Sequence, residues 1–388
     1  MIPSDANGTL AAAVDDCIVT TEPLPPLEVL RSTWRELESR SHCSFFLSWT
    51  WIGSWLQLIA NRSDTRLVKV TLQSRIVAVG VFAAKRAWRG AGPMHLRLHE
   101  TGDPVLDDLT IEYNGLLCEA GLEQAALLAA VRFLEKSDGR WSTLDVAGID
   151  AAAVPLQRLT ADSIAIRIRR RPTHHVDLAK VRACGDYLST LGPQTRSAIR
   201  RTTRKLAARF GEVSATVADT PKMKLAYLRA LTRLHEVYWR SKEGHAGAFS
   251  DARIMAFHEH LLTTYADTDA IQLMRLSAGE EVIGYVYNFV HRGVVYFYQA
   301  GVDYQRYTGY GSPGLLLLMR AVEHAITSGH DRFEFMAGDS DYKRRLGAGQ
   351  GELLWLSLDR AGVGSQLRNA ARWLRTRVGA TAPVVKAP

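Results

Sequence analysis

The sequence predicts an α/β protein, an α+β mixed sheet with helices on both faces, in which one arrangement of elements occurs twice. Three observations lead there. The chain has 388 residues, a length that suits two domains. Its 47% hydrophobic and 23% charged residues are those of an ordinary globular protein and exclude a disordered or fibrous chain. Residues 25–171 and 205–360 carry the same order of patterns: helix, helix, a strand meander, helix, then two late strands. A dinucleotide-binding sheet would alternate strand and helix throughout, so that class is excluded.

In the first half, 27–41 and 48–60 have helical periodicity. Residues 68–72 and 75–82 read as paired strands around Gln73-Ser74, and 94–99 and 109–118 as further strands. Residues 122–136 repeat apolar side chains at helical spacing, and 141–146 and 163–168 close the half as strands. In the second half, 213–218 is a strand. Thr220 caps a helix over 221–240 that has Pro221 at its first position. A helix over 251–265 precedes three strands, 271–276, 282–290 and 294–302, joined by Ser277-Ala278-Gly279 and His291-Arg292-Gly293. A long helix over 312–327 leads to strands at 332–336 and 353–358.

No apolar run approaches the roughly 18 residues that span a bilayer, and Arg320 ends the apolar run Leu315–Met319. The first residues, Met1-Ile2-Pro3-Ser4-Asp5, lack the basic start of a secretory signal. Cys17, Cys43, Cys118 and Cys184 fit no zinc or disulfide spacing, and no His/Cys/Asp/Glu cluster has metal spacing. The expectation is reduced thiols, a cytoplasmic protein and no metal.

Charge is concentrated. The net charge is +8, yet between Arg167 and Arg209 stand 12 Lys/Arg against two acids, Asp177 and Asp186. Arg196, Arg200 and Arg204 recur every four residues, flanked by Arg201 and Lys205, while Ile199, Leu206 and Phe210 can face a core. Such a helix suits a solvated face or an anion surface for a nucleotide-bearing cofactor, RNA or anionic lipid. No aromatic RNP strand or GXXG loop accompanies it, which argues against nucleic acid.

The stretch most informative about chemistry is Tyr298 to Met319. A strand ending at Val302 runs through Asp303-Tyr304-Gln305-Arg306-Tyr307-Thr308-Gly309-Tyr310-Gly311-Ser312-Pro313-Gly314 into an apolar helix. A glycine-rich turn at a helix start can present backbone N–H groups to an anion, and Arg306 can pair with a pyrophosphate. The plainer alternative is a strand-to-helix loop capped by Ser312 and Pro313.

Arg306-Tyr307-Thr308-Gly309-Tyr310-Gly311 is similar to the Arg/Gln-x-x-Gly-x-Gly/Ala loop of the GNAT acyltransferases. Four further stretches resemble the CelD/BcsL-type acetyltransferases of cellulose biosynthesis, relatives of the FemAB transferases. They are Ser44 to Trp51, Arg196 to Arg209, Ser312-Pro313-Gly314, and Gly338 to Gly347. The resemblance covers about residues 25–360. It implies tandem GNAT-like domains at 25–172 and 205–362, with 1–24 an extension, 173–204 a basic connector and 363–388 a basic tail. It also implies acetyl-CoA or another acyl-CoA as co-substrate, its pyrophosphate held by the loop after the fourth strand of the domain. The donor-binding residues are then Gln299, Val302, Arg306, Gly309, Gly311, Ser312 and Gly314. Here Gly309-Tyr310-Gly311 precedes Ser312-Pro313-Gly314 where that branch places a short linker, so either turn can cradle phosphate.

Acyl transfer to an amine needs a proton acceptor, a polarised thioester carbonyl and a proton donor for the thiolate. The strand 332–336 should lie beside the one bearing Gln299, with the donor between their splayed ends. Asp339 can then accept the amine proton, or serve as a turn cap. Tyr342 can protonate the thiolate, or pack as a half-buried aromatic. Lys343 can bind an anion, or lie on the surface. Glu334 is a base within the groove or a solvent-facing strand residue, the latter being the simpler expectation. Tyr285, Tyr287, Tyr296 and Tyr298 line an acceptor groove or pack the sheet; His235, Tyr238, Trp239 and His245 wall its acceptor side.

Residues 364–378 have the spacing of a basic amphipathic helix that docks on the protein body or lies peripherally on the inner membrane surface. The leading reading is an acyltransferase acting on a small-molecule, saccharide or amine acceptor in polysaccharide or cell-envelope synthesis. Two rivals remain: a transferase that takes its acyl group from aminoacyl-tRNA, and a non-catalytic partner of a polysaccharide-synthesis complex.

Overall fold

The computed structural model describes residues 10, 12–60, 64–88, 91–107, 109, 111–137, 141–159, 164–244 and 247–360. The helix expected over 364–378 and the proposed wall residue His245 lie outside the described residues. The chain forms two compact units, Met1–Arg171 with Glu352–Pro388, and Pro172–Gly351.

In the first unit, helix α1 (Leu27–Ser39) buries Leu30, Trp34 and Leu37, an i, i+4, i+7 stripe. Helix α2 (Trp49–Leu58) begins at Ser48, whose hydroxyl accepts the Trp51 N–H. The sheet runs β1 (Cys17–Pro23), β2 (Thr65–Leu72), β3 (Arg75–Trp88), β4 (Ala91–Leu98), β6 (Trp141–Asp150), with the short β5 (Leu117–Cys118) on β3. Gln73 and Ser74 both take positive φ, 50° and 64°, the conformation that closes a two-residue hairpin between β2 and β3. Neighbours are antiparallel through β4; β6 follows the crossover helix α3 (Glu123–Lys136) and pairs parallel to β4. The core joins Val68, Val70, Phe82 and Leu98 to Leu128, Val131 and Leu134 of α3.

Two expectations for this half need correction. Residues 109–118 form a strand only at Leu117–Cys118. The chain around Asn114 is held instead by that residue's buried side chain, a local alternative to a strand ladder. Cys17–Pro23, within the segment expected to be an extension, pairs with β2 along its whole length.

The second unit repeats the order. Helices α4 (Leu178–Cys184) and α5 (Pro193–Phe210) precede β8 (Val213–Val217). Then come α6 (Pro221–Glu243), capped by Thr220, and α7 (Ala252–Thr264). Strands β9 (Ile271–Ala278), β10 (Glu281–His291) and β11 (Val294–Val302) form the meander, helix α8 (Pro313–Thr327) crosses over, and β12 (Arg332–Ala337) returns parallel to β11. A short helix α9 (Asp341–Leu346) follows. The core sets Met274, Val286, Val295 and Phe297 against Leu316, Met319 and Val322 of α8 and Ile199 and Leu206 of α5.

Each sheet is completed by a strand from elsewhere in the chain. In the first unit, Leu353–Asp359 of β13 (Gly349–Arg360) runs antiparallel to β6. In the second, Thr173–Asp177 of β7 (Ile164–Asp177) runs antiparallel to β12.

Candidate functional site

The parallel pair at the centre of the second unit opens partway along. β11 and β12 pair only from Val294 to Tyr296 and from Arg332 to Glu334. Both strands carry an irregularity just beyond. The β10–β11 register passes from Asn288↔Phe297 to Tyr287↔Gln299, leaving Tyr298 as an extra residue. On β12 the register jumps from Glu334↔His175 to Ala337↔Thr173, and Met336 there takes a φ of 64°. Bulges bend the strands that carry them, so two bulges at one level part the strands. Past the bulge, Gln299 to Val302 has β10 on one side and no ladder to β12 on the other. Gln299 and Ala300 are half-buried and Val302 is buried.

The Tyr342 ring lies where the strands part. It stands 6.2 Å from the Phe297 ring of β11 and 6.3 Å from the Phe335 ring of β12. Its position on α9 follows from the turn after β12. Lys343, the next residue, is buried and donates from Nζ to the carbonyls of Ala337 (2.5 Å) and Met336 (3.4 Å). Of the two readings for Lys343, an anion contact or a surface residue, the surface one is corrected: its ammonium closes the strand end that carries α9. Asp339 is exposed. Its carboxylate pairs with Arg344 at 2.8 Å and meets His174 Nε2 at 3.3 Å. The Arg344 hydrogen bond, more than any other influence, holds Asp339 below the usual carboxylate range.

Glu334 corrects the simpler expectation of a solvent-facing strand residue. It is 1% exposed and pairs with Arg332 at 2.8 Å. The alternation of Phe333, Glu334 and Phe335 would expose one face of an edge strand. β12 lies between two neighbours with both faces covered, so a charged residue there must be paired.

The turn after β11 leads to α8. Asp303 caps its first part by accepting the Arg306 N–H at 3.0 Å. Arg306 reaches Glu281 at 2.7 Å and lies against the Tyr307 ring, so its guanidinium is engaged within the unit. Helix α5 braces the turn: Thr202 Oγ1 accepts the Ser312 N–H at 2.9 Å, and Lys205 donates to the Gly309 carbonyl at 3.0 Å. The glycines differ in purpose. Gly311 has φ 103°, and a Cβ there would lie 2.4 Å from Thr202 Oγ1; a Cβ on Gly314 would lie 2.3 Å from Tyr304 Oη. Gly309 faces open space. Gly311 and Gly314 therefore let α5 and Tyr304 approach the turn, a packing role that the sequence pattern did not separate from anion binding. No side chain caps α8, and Pro313 at its start has no N–H. The Gly314 and Leu315 N–H groups head a 15-residue helix without intrahelical partners, where the dipole favours an anion.

The proposed acceptor residues lie in aromatic contacts on the second unit. Tyr298 meets Phe289 at 5.0 Å, His258 at 5.3 Å and Tyr287 at 5.6 Å, while Tyr285 packs 5.1 Å from Tyr227. His235 is buried, accepts the Trp239 indole N–H at 2.8 Å and lies 5.2 Å from Phe249. Sequence reasoning did not select His258 or His174. His258 is wholly buried among these rings, and burial pushes its pKa down to about 3. Only the tertiary fold assembles these groups; α7 spacing alone carried no signal for His258. A cavity of about 420 Å³ lies elsewhere, lined by His175, Lys180, Tyr187, Arg345 and Gly347 among others, and by none of Gln299, Ser312 or Gly314.

These features define a GNAT-like mixed α/β fold: a meander, a crossover helix, and a parallel pair that opens beside the helix start. Residues 193–344, which contain all of them, match the family model "Acetyltransferase (GNAT) domain". Three solved structures share the fold. FemX has a TM-score of 0.54 at 10% identity, over 90% of this chain and 99% of that one. The C-terminal domain of a candidate lysylphosphatidylglycerol synthetase from Agrobacterium fabrum has 0.51 at 10% identity, over 90% and 96%. A conserved protein of unknown function from Bacteroides thetaiotaomicron VPI-5482 has 0.50 at 10% identity, over 88% and 100%. No curated protein matches the chain in sequence.

Proposed function

We propose that the second unit is an acyltransferase that takes an acyl group, acetyl in the simplest case, from acyl-CoA. The acceptor is an amine or hydroxyl on a small molecule or saccharide, in polysaccharide or cell-envelope synthesis of the CelD/BcsL kind. The observation that carries this reading is the parting of β11 from β12 beyond Tyr296 and Glu334, next to the uncapped start of α8.

An extended pantetheine fits the slot as a substitute strand, hydrogen-bonding the β11 backbone between Gln299 and Val302. The donor pyrophosphate lies at the Gly314 and Leu315 N–H groups, beside Ser312 and the open Gly309. In the transfer step the acceptor nitrogen or oxygen attacks the thioester carbonyl carbon and the carbon–sulfur bond breaks. Asp339 takes the proton from the acceptor and Tyr342 returns one to the departing thiolate. The Asp339 carboxylate, lowered by Arg344, is ionised at neutral pH and a modest base, which suits an acceptor that loses its proton late. Glu334 and Lys343 support the slot: one pairs with Arg332 within β12, the other anchors α9. Tyr285, Tyr298, Trp239 and His235 form the acceptor side.

Isothermal titration with acetyl-CoA tests the donor site directly. Stoichiometric binding is expected; absence of binding by a folded protein would remove the reading. A second reading changes the donor to an aminoacyl-tRNA and is favoured by one observation, the exposed arginines of α5. In that case tRNA binds with a steep salt dependence and acetyl-CoA does not.

A further inference from the structure

The first unit carries a charged cluster that the transfer reaction does not use. One face of its sheet covers the apolar core; the other presents His95 and Arg97 of β4, Asp145 of β6, Trp355 and Ser357 of β13, and Arg167, Arg169 and Arg171 of β7. Most of these charges are matched. Asp145 meets His95 at 2.6 Å and accepts from Ser357 at 2.6 Å, and Arg167 pairs with Asp359 at 2.8 Å.

Arg169 and Arg171 differ. Their guanidinium carbons lie 5.1 and 5.0 Å from the centre of the same ring, Trp355. Neither has a carboxylate within ion-pair distance among the described residues. Two like charges on one indole repel, and after burial the Arg171 guanidinium is the main influence that weakens Arg169's hold on its proton. The acid that acts on Arg169 electrostatically is Glu100. Burial, with Asp107 and Asp145, pushes its carboxyl up to about 7, so at neutral pH it is only partly ionised and offsets the pair only in part. One ring holds both guanidinium groups and, among the described residues, no carboxylate pairs with either, which leaves their N–H donors to a ligand.

We infer that Arg169 and Arg171, held by Trp355, form a binding site for a phosphate or pyrophosphate group of a small molecule. Two forks need more acceptor oxygens than one carboxylate offers, whereas a phosphate or pyrophosphate offers enough for both. The polar groups of Ser357, His95 and Asp145 lie on the same sheet face and suit the hydroxyls of a phosphorylated sugar.

The experiment is a titration of the full chain with sodium pyrophosphate by calorimetry, with acetyl-CoA saturating so that the donor site is filled. Acetate at matched ionic strength is the comparison. One pyrophosphate is expected to bind, and acetate not. Arg169→Gln with Arg171→Gln should weaken binding at least about tenfold, from the loss of charge-assisted hydrogen bonds. Arg167→Gln, on the same strand but already paired, should leave it unchanged. Thermal melting of each variant confirms folding. Trp355→Ala, which removes the ring that holds both arginines, should also weaken binding; should it unfold, Trp355→Phe, which keeps a ring, replaces it and is expected to weaken binding less than the double variant. Equal binding by the double variant, binding by acetate as tight as by pyrophosphate, or no pyrophosphate bound would each overturn the inference. Failure of acetyl-CoA to bind overturns the donor reading alone, because pyrophosphate binding at the arginine pair is read in its own variants.

Discussion

The two units share an order of elements and differ at the place where each parallel pair ends. In the second, β11 and β12 separate into an open slot, and the short turn 303–312 leads to an uncapped helix. In the first, Asn114 and Asp107, from the longer connection between β4 and α3, occupy the equivalent place. Asn114 bridges to Ile149 beside β6, donates from Nδ2 to the Leu98 carbonyl at 3.0 Å, and contacts His99 Nδ1 at 2.8 Å. The turn after β4 is equally occupied: the Asp107 carboxylate accepts from the Thr101 N–H, the Thr101 hydroxyl and the Gly102 N–H, at 2.7 to 2.8 Å. An internal carboxylate thus ties down the turn directly after β4. One fold therefore has two outcomes: the first unit fills the place with its own side chains, and the second leaves it open, where the proposed donor site lies.

Substitutions sharpen that contrast. The largest effect is expected at Asn114→Ala, which strands the His99 ring, the Leu98 carbonyl and the Gly115 N–H in a buried place; about 3 kcal/mol of stability should be lost. Chemical denaturation measures it, and acetyl-CoA affinity should not change. A loss under 1 kcal/mol, roughly one ordinary hydrogen bond, would mean that the plug is not structural.

Next is Asp339→Asn, expected to slow single-turnover transfer about 10²-fold, the lower range for a general base, with acyl-CoA affinity preserved. Because Arg344 depresses the carboxyl, the rate should stay level as pH falls through the ordinary carboxylate range and drop only below it. Full activity in the variant would transfer the proton to another acceptor, such as His174.

A smaller effect comes from making the open turn resemble the closed one. Gly309 has room for a side chain, so Gly309→Asp should fold normally while placing a carboxylate beside the proposed phosphate position. Acyl-CoA affinity should fall about tenfold, and less at high salt. An unchanged dissociation constant would move the phosphate site away from this turn.

The smallest concerns pH. The Glu100 carboxyl, raised by burial to about 7 from 4.5, favours the protonated folded state. Its contribution to stability is complete below pH 4.5 and lost as pH rises toward 7. Comparing melting temperatures at several pH values, Glu100→Gln should remove that part of the slope. An identical profile in the variant would show that another group titrates there.

Much of this architecture was legible in the sequence. The hairpin at Gln73-Ser74, the meander from Ile271 to Val302 and the crossover helix after Pro313 follow from local periodicity and turn residues, which act over a few positions. The pattern from Arg306 to Gly314 located the turn but not its inner workings. That Gly311 accommodates Thr202 depends on a contact with a residue 109 positions earlier in the sequence. The strand at Cys17–Pro23 was missed because an edge strand of mixed polarity has little alternation to display.

The sequence by itself determined the element order, its duplication, the concentration of positive charge between Arg167 and Arg209, and the place of the glycine-rich turn. These rest on side-chain period and backbone preference, which are local. Only the tertiary structure decided which parallel pair stays open and which is plugged. It buried Glu334 beside Arg332, turned Lys343 onto the carbonyls of Met336 and Ala337, and stacked Arg169 and Arg171 on Trp355. A charged side chain in a sheet takes its partner from a neighbouring strand or a following helix, and those neighbours are set by packing rather than by nearness in the chain.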